Sequence, residues 1–225
     1  MLTPVDDVVR AFCDTVVDTF ATRRGPRFAF VLSGGAMART CYEAVALTDG
    51  IEWPVVDFYV GDERFVPRGH VDANVRMIEE ALLDRIGPIG SFKPMGTGGT
   101  AADCAEAYQR IVADLVTGPG IDLIHMGMGP DGHTASLFPG AASLSAGPGE
   151  LVVATEDPGR RNPHPRLTLT LPAINSARTA VFTVTGATHA AALAALVRGE
   201  DLPAARVHAG TTIWLVDDAA RGSAP

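Results

Sequence analysis

The sequence contains no uncharged apolar run of about 18 residues, the length a membrane-spanning helix needs, so no membrane partner is expected. It is poor in cysteine. Cys13, Cys41 and Cys104 are odd in number, widely spaced and without a CxxC pair. That pattern excludes a disulfide framework and predicts free thiols in a reducing cytoplasm. Positive charge is also short: Lys and Arg total 18 against 26 Asp and Glu, a net charge of -8. Such an acidic balance argues against non-specific binding to nucleic acid or anionic lipid. The opening Met1-Leu2-Thr3-Pro4-Val5-Asp6-Asp7 has neither a basic nor an apolar stretch, so no signal peptide is expected. The glycine turn after the first core strand, Ser33-Gly34-Gly35, is neither GxGxxG nor GxxxxGK[ST], which lowers the odds of a nucleotide cofactor. HxH, HExxH and Cys/His clusters are missing, so no metal is expected, and no GxSxG elbow marks a nucleophilic serine.

What is present is a globular composition, 47% hydrophobic over 225 residues, a length that suits one domain. Short β-rich runs alternate with helical ones. Residues 5–22 set Val5, Val8, Val9, Phe12, Val16 and Phe20 at helical spacing, with Pro4 near the start. Strands are predicted over 27–32, 54–60, 121–126, 151–155, 166–171, 180–185 and 212–216. Further helices are predicted over 36–47, 72–85, 101–116 and 187–197. No fixed-period repeat and no linker divides the chain. The alternation predicts a single domain over 1–225, with three α/β/α layers around a mostly parallel sheet.

In such sheets ligands sit at the carboxyl ends of the strands, and the distinctive residues fall there. Ser33-Gly34-Gly35 joins a strand to a helix, where backbone N–H groups can meet an anion; an ordinary glycine turn is the plainer reading. Gly61-Asp62-Glu63-Arg64 sets three charges at a strand end. Arg64 can fork onto a carboxylate or phosphate, or belong to a local ion pair. In Gly127-Met128-Gly129-Pro130-Asp131-Gly132-His133, Asp131 is close enough to fix the tautomer of His133, a natural general base. Arg166, after the Pro-stiffened Asn162-Pro163-His164-Pro165, is a second candidate anion contact. Gly186-Ala187-Thr188-His189 offers another helix start. His125 reads as a packed core histidine, and His70 and His208 have no ligand spacing.

Together these stretches resemble the 6-phosphogluconolactonase family. The resemblance rests on Leu32-Ser33-Gly34-Gly35, the DERFVP string from Asp62, Asp72-Ala73-Asn74 and the GMGPDGHTASLFPG string from Gly127. It continues through Pro165-Arg166-Leu167-Thr168-Leu169-Thr170-Leu171-Pro172 and Trp214-Leu215-Val216-Asp217, spanning about residues 30–217. It implies a Rossmann-like sheet with no nucleotide, and hydrolysis of 6-phospho-D-glucono-1,5-lactone to 6-phosphogluconate in the oxidative pentose phosphate pathway. It implies that His133 activates water, that Asp62 and Arg64 line the site, and that no cofactor takes part. The partner expected is a phosphorylated sugar lactone; nothing in the sequence sets the oligomeric state. The chain departs from the family twice. Ala36-Met37-Ala38 follows the glycine loop, where the family often has Ser or Thr and Pro. His189 stands where the family usually has Lys. Two alternatives remain open. One is a glucosamine-6-phosphate deaminase, whose similar loop carries Glu five residues after its histidine, where this chain has Phe138. The other is a non-catalytic sugar-phosphate sensor.

Overall fold

The computed structural model describes residues 2–222. Among them lie ten strands: β1 (Leu2–Pro4), β2 (Phe28–Leu32), β3 (Val56–Val60), β4 (Asp62–Arg64), β5 (Ser91–Lys93), β6 (Leu123–Met126), β7 (Val152–Thr155), β8 (Arg166–Leu169), β9 (Thr179–Val184) and β10 (Thr211–Val216). The helices are α1 (Val8–Ala21), α2 (Ala36–Val45), α3 (Asn74–Ile78), α4 (Ala101–Thr117), α5 (Leu171–Asn175), α6 (Ala190–Val197) and α7 (Asp218–Arg221). Seven strands form one sheet in the order β1-β10-β9-β6-β2-β3-β5, and every neighbouring pair is parallel. Its centre follows from composition. Phe28-Ala29-Phe30-Val31-Leu32 is apolar throughout and buried throughout, as a strand covered on both faces must be. Helices flank this sheet, so the expected α/β architecture is the one that forms. No described helix is long and apolar enough to cross a membrane.

The first helix starts later than its apolar spacing predicts. The Asp7 carboxylate accepts the Arg10 N–H at 2.9 Å and caps α1 there. Upstream, Leu2–Pro4 is a strand at the sheet edge, with Pro4 opposite Val216. An edge strand tolerates proline because part of its N–H row is unpaired.

A larger difference from expectation is a second sheet. Strands β4, β8 and β7 pair antiparallel, apart from the parallel sheet. Asp62-Glu63-Arg64 is therefore a strand, not a loop, and the runs at 151–155 and 166–171 do not join the main sheet. Gly61 is the corner between the two sheets. Its N–H bonds Leu32 O of β2 at 2.8 Å, and its carbonyl accepts from Leu169 N of β8 at 2.8 Å. Residue alternation reports a strand but not which sheet it enters. Three short elements, β5, α5 and α7, lie outside the predicted ones. The Tyr108 hydroxyl of α4 ties β5 to β3, accepting from Val60 N at 2.9 Å and lying 3.0 Å from Lys93 O. Buried apolar residues of both sheets, from Phe30 and Phe182 to Leu167 and Leu169, form one contiguous cluster.

Alternation along β4 sorts its charges. Asp62 and Arg64 share one face, and Glu63 takes the other. Glu63 is buried, and its carboxylate accepts the N–H groups of Arg64, Asn74 and Val75, each at 2.7 Å. It thus clamps the first turn of α3 onto β4. Burial pushes its pKa up, and the three N–H groups only partly offset that. Gln at this position keeps the volume but turns an NH2 toward a backbone N–H. Glu63→Gln is expected to cost about 1–3 kcal/mol, read as a lower urea midpoint at unchanged m-value.

Candidate active site

The β4–β8 register brings two arginines together. Arg64 lies directly opposite Arg166, and Asp62 opposite Thr168. Opposed residues in an antiparallel pair project on the same face, so the two guanidinium groups line one cavity of about 190 Å³ with Asp62. Arg166 is buried and Arg64 partly so. Arg64 Nη1 donates to Asp72 O at 2.5 Å, and Arg166 Nη2 donates to Asn162 Oδ1 at 3.2 Å. The Nε–H of each has no protein partner. Burial lowers the Arg166 pKa, with Arg64 adding to that effect and Asp62 opposing it. Asp62 is itself engaged. Ser136 Oγ donates to its Oδ2 at 2.6 Å, and Arg166 Nη1 is 4.0 Å from that oxygen.

The loop after β6 delivers the histidine to the same cavity. Gly129 N bonds His133 O at 2.8 Å, and Gly132 N bonds Gly129 O at 2.9 Å. Gly132 has φ +79°, the left-handed region that suits glycine, and a Cβ on Gly129 would sit 2.2 Å from the His133 ring. His133 Nδ1 is 2.5 Å from Asp131 Oδ1, and Asp131 also accepts the His133 N–H at 3.2 Å. An ionised carboxylate accepts only, so Nδ1 carries the proton and Nε2 keeps its lone pair. Burial alone would raise the Asp131 pKa, but the His133 contacts and Arg161 outweigh it and hold the carboxyl below its usual value. Ala135, two residues on, has φ +47° and lines the cavity; such strain persists where the surroundings over-determine it.

Several contributors escaped the sequence reading. Arg161 Nη2 meets Asp131 Oδ2 at 2.6 Å and reaches Asp157 at 3.4 Å. Asp157 is buried and accepts from the backbone N–H of Gly159, Arg161 and Asn162 and from the Asn162 amide. Asn162 then accepts from Arg166. The Asp157-Pro158-Gly159 turn signature was the available signal. Asn74 donates to Asp62 O at 2.8 Å and lies so close to the glycine loop that a Cβ on Gly34 would be 2.0 Å from its Oδ1.

Ser33, Gly34 and Gly35 wall this cavity and a second of about 300 Å³, which His189, Thr185 and His125 also line. Ser33 N donates to the Tyr42 hydroxyl at 2.7 Å, and that hydroxyl is 3.0 Å from His125 Nδ1. His125 is the core histidine expected, its pKa driven down by burial to about 3. The start of α2 at Gly35 has no side-chain cap, so its N–H groups face the second cavity uncapped. His189 Nδ1 is 2.7 Å from Thr185 O, which fixes the proton on Nδ1 and frees Nε2. The structure thus divides the expected anion contacts: Arg166 lies with Arg64 and His133, whereas His189 lies across the glycine loop. The Gly186 N–H, expected to be open to an anion, is instead taken by the Asp217 carboxylate, 3.1 Å from both oxygens. A larger cavity of about 650 Å³ lies at the amino ends of β2, β3 and β6. Its Arg27 and Arg178 pair with Asp57 and Asp122, and no acid–base dyad faces it.

A cleft at the carboxyl ends of a parallel sheet, with a carboxylate–histidine dyad and two arginines, defines an α/β enzyme acting on a small anion. The chain belongs to the glucosamine-6-phosphate isomerases/6-phosphogluconolactonase family, which it matches over residues 4–214. It is 36% identical over 222 residues to the 6-phosphogluconolactonase of Synechocystis sp., covering 92% of this chain and 89% of that one. The solved 6-phosphogluconolactonase of Thermotoga maritima superposes with a TM-score of 0.82 at 28% identity, covering 97% of this chain and 99% of that one. A monomeric glucosamine-6-phosphate deaminase has a TM-score of 0.80 at 17% identity, covering 98% of both chains, which shows a shared fold alone.

The loop around Asp157 has a pH signature. Burial opposes ionisation of Asp157, but the Asn162 amide, the Gly159 N–H and Arg161 hold its pKa well below the usual carboxylate range. A depressed folded-state pKa stabilises fully above the unfolded value of about 3.9 and loses that stabilisation as pH falls through the folded value. Asp157→Asn is therefore expected to melt below wild type at pH 7, with the gap closing as pH drops below about 4. Thermal melts at several pH values check this.

Proposed function

We propose that this protein hydrolyses 6-phospho-D-glucono-1,5-lactone to 6-phospho-D-gluconate, the lactone-opening step of the oxidative pentose phosphate pathway. The observation that carries the reading is the Asp131–His133 dyad opening on the cavity that holds Arg64 and Arg166. His133 Nε2 takes a proton from water as the water oxygen bonds to the lactone carbonyl carbon. The carbonyl oxygen becomes an oxyanion, and the arginines supply the positive charge that favours it. Asp131 stabilises the imidazolium. Collapse of the tetrahedral intermediate breaks the bond from C1 to the ring oxygen. The imidazolium returns its proton to that oxygen, and a hydroxy acid leaves. Every proton in these steps is assigned to water, substrate or His133. A δ-lactone is an activated ester, so one base and fixed positive charge are sufficient catalysts. Phe138 is buried beside the imidazole, with ring centroids 5.0 Å apart, and transfers no proton, which favours lactone opening over deamination. The glycine loop, the uncapped start of α2 and His189 are assigned to the phosphate end. A cytoplasmic setting is part of the same reading, supported by three buried free thiols.

The direct test is hydrolysis of freshly generated 6-phosphogluconolactone, corrected for the spontaneous rate, before and after chelation. Catalysis that survives chelation is expected; no acceleration over the spontaneous rate overturns the reading. His133→Ala should lower kcat by about 10²–10⁴-fold while product still binds. Asp131→Asn should cost less, because it loosens the imidazole without removing it. Near-normal kcat in His133→Ala places the base elsewhere.

His189 is tested separately. Lysine keeps its positive charge at pH 8. His189→Lys should lower KM at that pH with kcat little changed, because phosphate contacts act alike on ground and transition states. Equal KM values for the two proteins mean that His189 does not touch the phosphate.

A further inference from the structure

Outside the dyad, three metal-ligating side chains meet at the rim of the cleft. His70 and Asp72 come from the loop between β4 and α3, and His164 from the loop before β8. His164 Nε2 is 2.9 Å from Asp72 Oδ2, His70 Nδ1 is 3.7 Å from the same oxygen, and one donor atom from each residue lies within 4.8 Å of the others. The two imidazole rings stand edge to face, their centroids 5.6 Å apart. All three side chains are between a quarter and a half exposed, so an ion can reach them from solvent.

The donor set and spacing define the class of ion. Two imidazoles and one carboxylate suit zinc and its first-row neighbours, not calcium or magnesium, which prefer oxygen ligands. Tetrahedral bonds of about 2.0–2.1 Å put neighbouring donors roughly 3.3 Å apart. The separations of 2.9 and 3.7 Å bracket that spacing, and side-chain rotations must bring the two imidazole nitrogens together from within 4.8 Å. His70 already has its proton on the far nitrogen. Its Nδ1 accepts the Asp72 N–H at 3.1 Å, so the proton is on Nε2, and an ion binding at Nδ1 displaces that N–H from the one lone pair. His164 has only to shift its proton from Nε2 to Nδ1.

We propose that His70, Asp72 and His164 form a binding site for a divalent transition metal such as Zn²⁺, with three protein ligands and a fourth position open to water. The site is distinct from the lactone-opening machinery, and its consequence is mechanical. The Asp72 carbonyl holds Arg64 Nη1, and His164 lies two residues before Arg166. A bound ion therefore ties together the two segments that carry the arginines. Bare sequence spacing hides the cluster, because His164 stands 92 residues from Asp72.

The test is titration of the full chain with Zn²⁺, by calorimetry or against a chromogenic chelator. One saturable ion per chain is expected, with a raised Tm. His164→Gln and His70→Gln should each weaken binding roughly tenfold or more, because each removes one of three protein ligands. His208→Gln, an exposed histidine outside the cluster, should leave binding unchanged. In wild type, ring-nitrogen NMR signals of His70 and His164 should shift on zinc addition, a readout that needs no variant. The proposal is overturned if no saturable binding occurs, or if the His70 and His164 signals stay fixed. It is equally overturned if His133→Ala abolishes binding while His164→Gln does not, which would place the ion on the dyad.

Discussion

Two arginines facing each other across adjacent strands are an electrostatic liability, and the site is organised around that constraint. Like charges directly opposite in a sheet repel, and burial adds a desolvation cost, which the lowered Arg166 pKa records. The protein offsets part of this with Asp62, on the same face two residues from Arg64. The Asp62 carboxylate is 4.0 Å from Arg166, too far for a tight pair, and its oxygens are taken up by Ser136 and Asn74. Positive charge is therefore left over in an acidic chain. That surplus suits an anion, or a carbonyl oxygen becoming one.

The same economy governs the histidine. The dyad extends from Asp131 through Arg161 to the buried Asp157, and Asn162 carries the connection back to Arg166. Two separate loops, at 127–133 and 157–162, thus hold the imidazole and one arginine in a single hydrogen-bonded frame. Within it the imidazole has one committed nitrogen and one free one, the condition for a general base. Glycine makes the frame possible where backbones crowd. Gly129 gives way to the His133 ring and Gly34 to Asn74.

Much of this was legible in the sequence, for identifiable reasons. β2 announces itself because a doubly covered strand is apolar at every position, and β6 and β9 are apolar but for His125, Thr179 and Thr183. Asp131 and His133 are two residues apart, so their contact is local and needs no tertiary information. The second sheet was not legible. Gly61 bonds to both sheets, and nothing in the residues of β4, β7 or β8 states which sheet they join. That is why Arg64 and Arg166 were recognised singly, while their pairing came only from the register. Arg161, Asn162 and the His70–Asp72–His164 cluster escaped for the same reason, since loop side chains meet through the fold and not through spacing. The Gly186 turn read as an open helix start because its capping carboxylate, Asp217, lies 31 residues away.

The most direct measurement concerns the arginine pair. Arg166→Met removes one guanidinium while keeping a long, flexible side chain. Relief of repulsion and desolvation should leave Tm unchanged or raised, while kcat/KM for 6-phosphogluconolactone falls by about 10²-fold or more, the scale of losing one oxyanion-stabilising donor. A variant that keeps near-wild-type kcat/KM would contradict the central claim that the opposed arginines serve the substrate and not the fold.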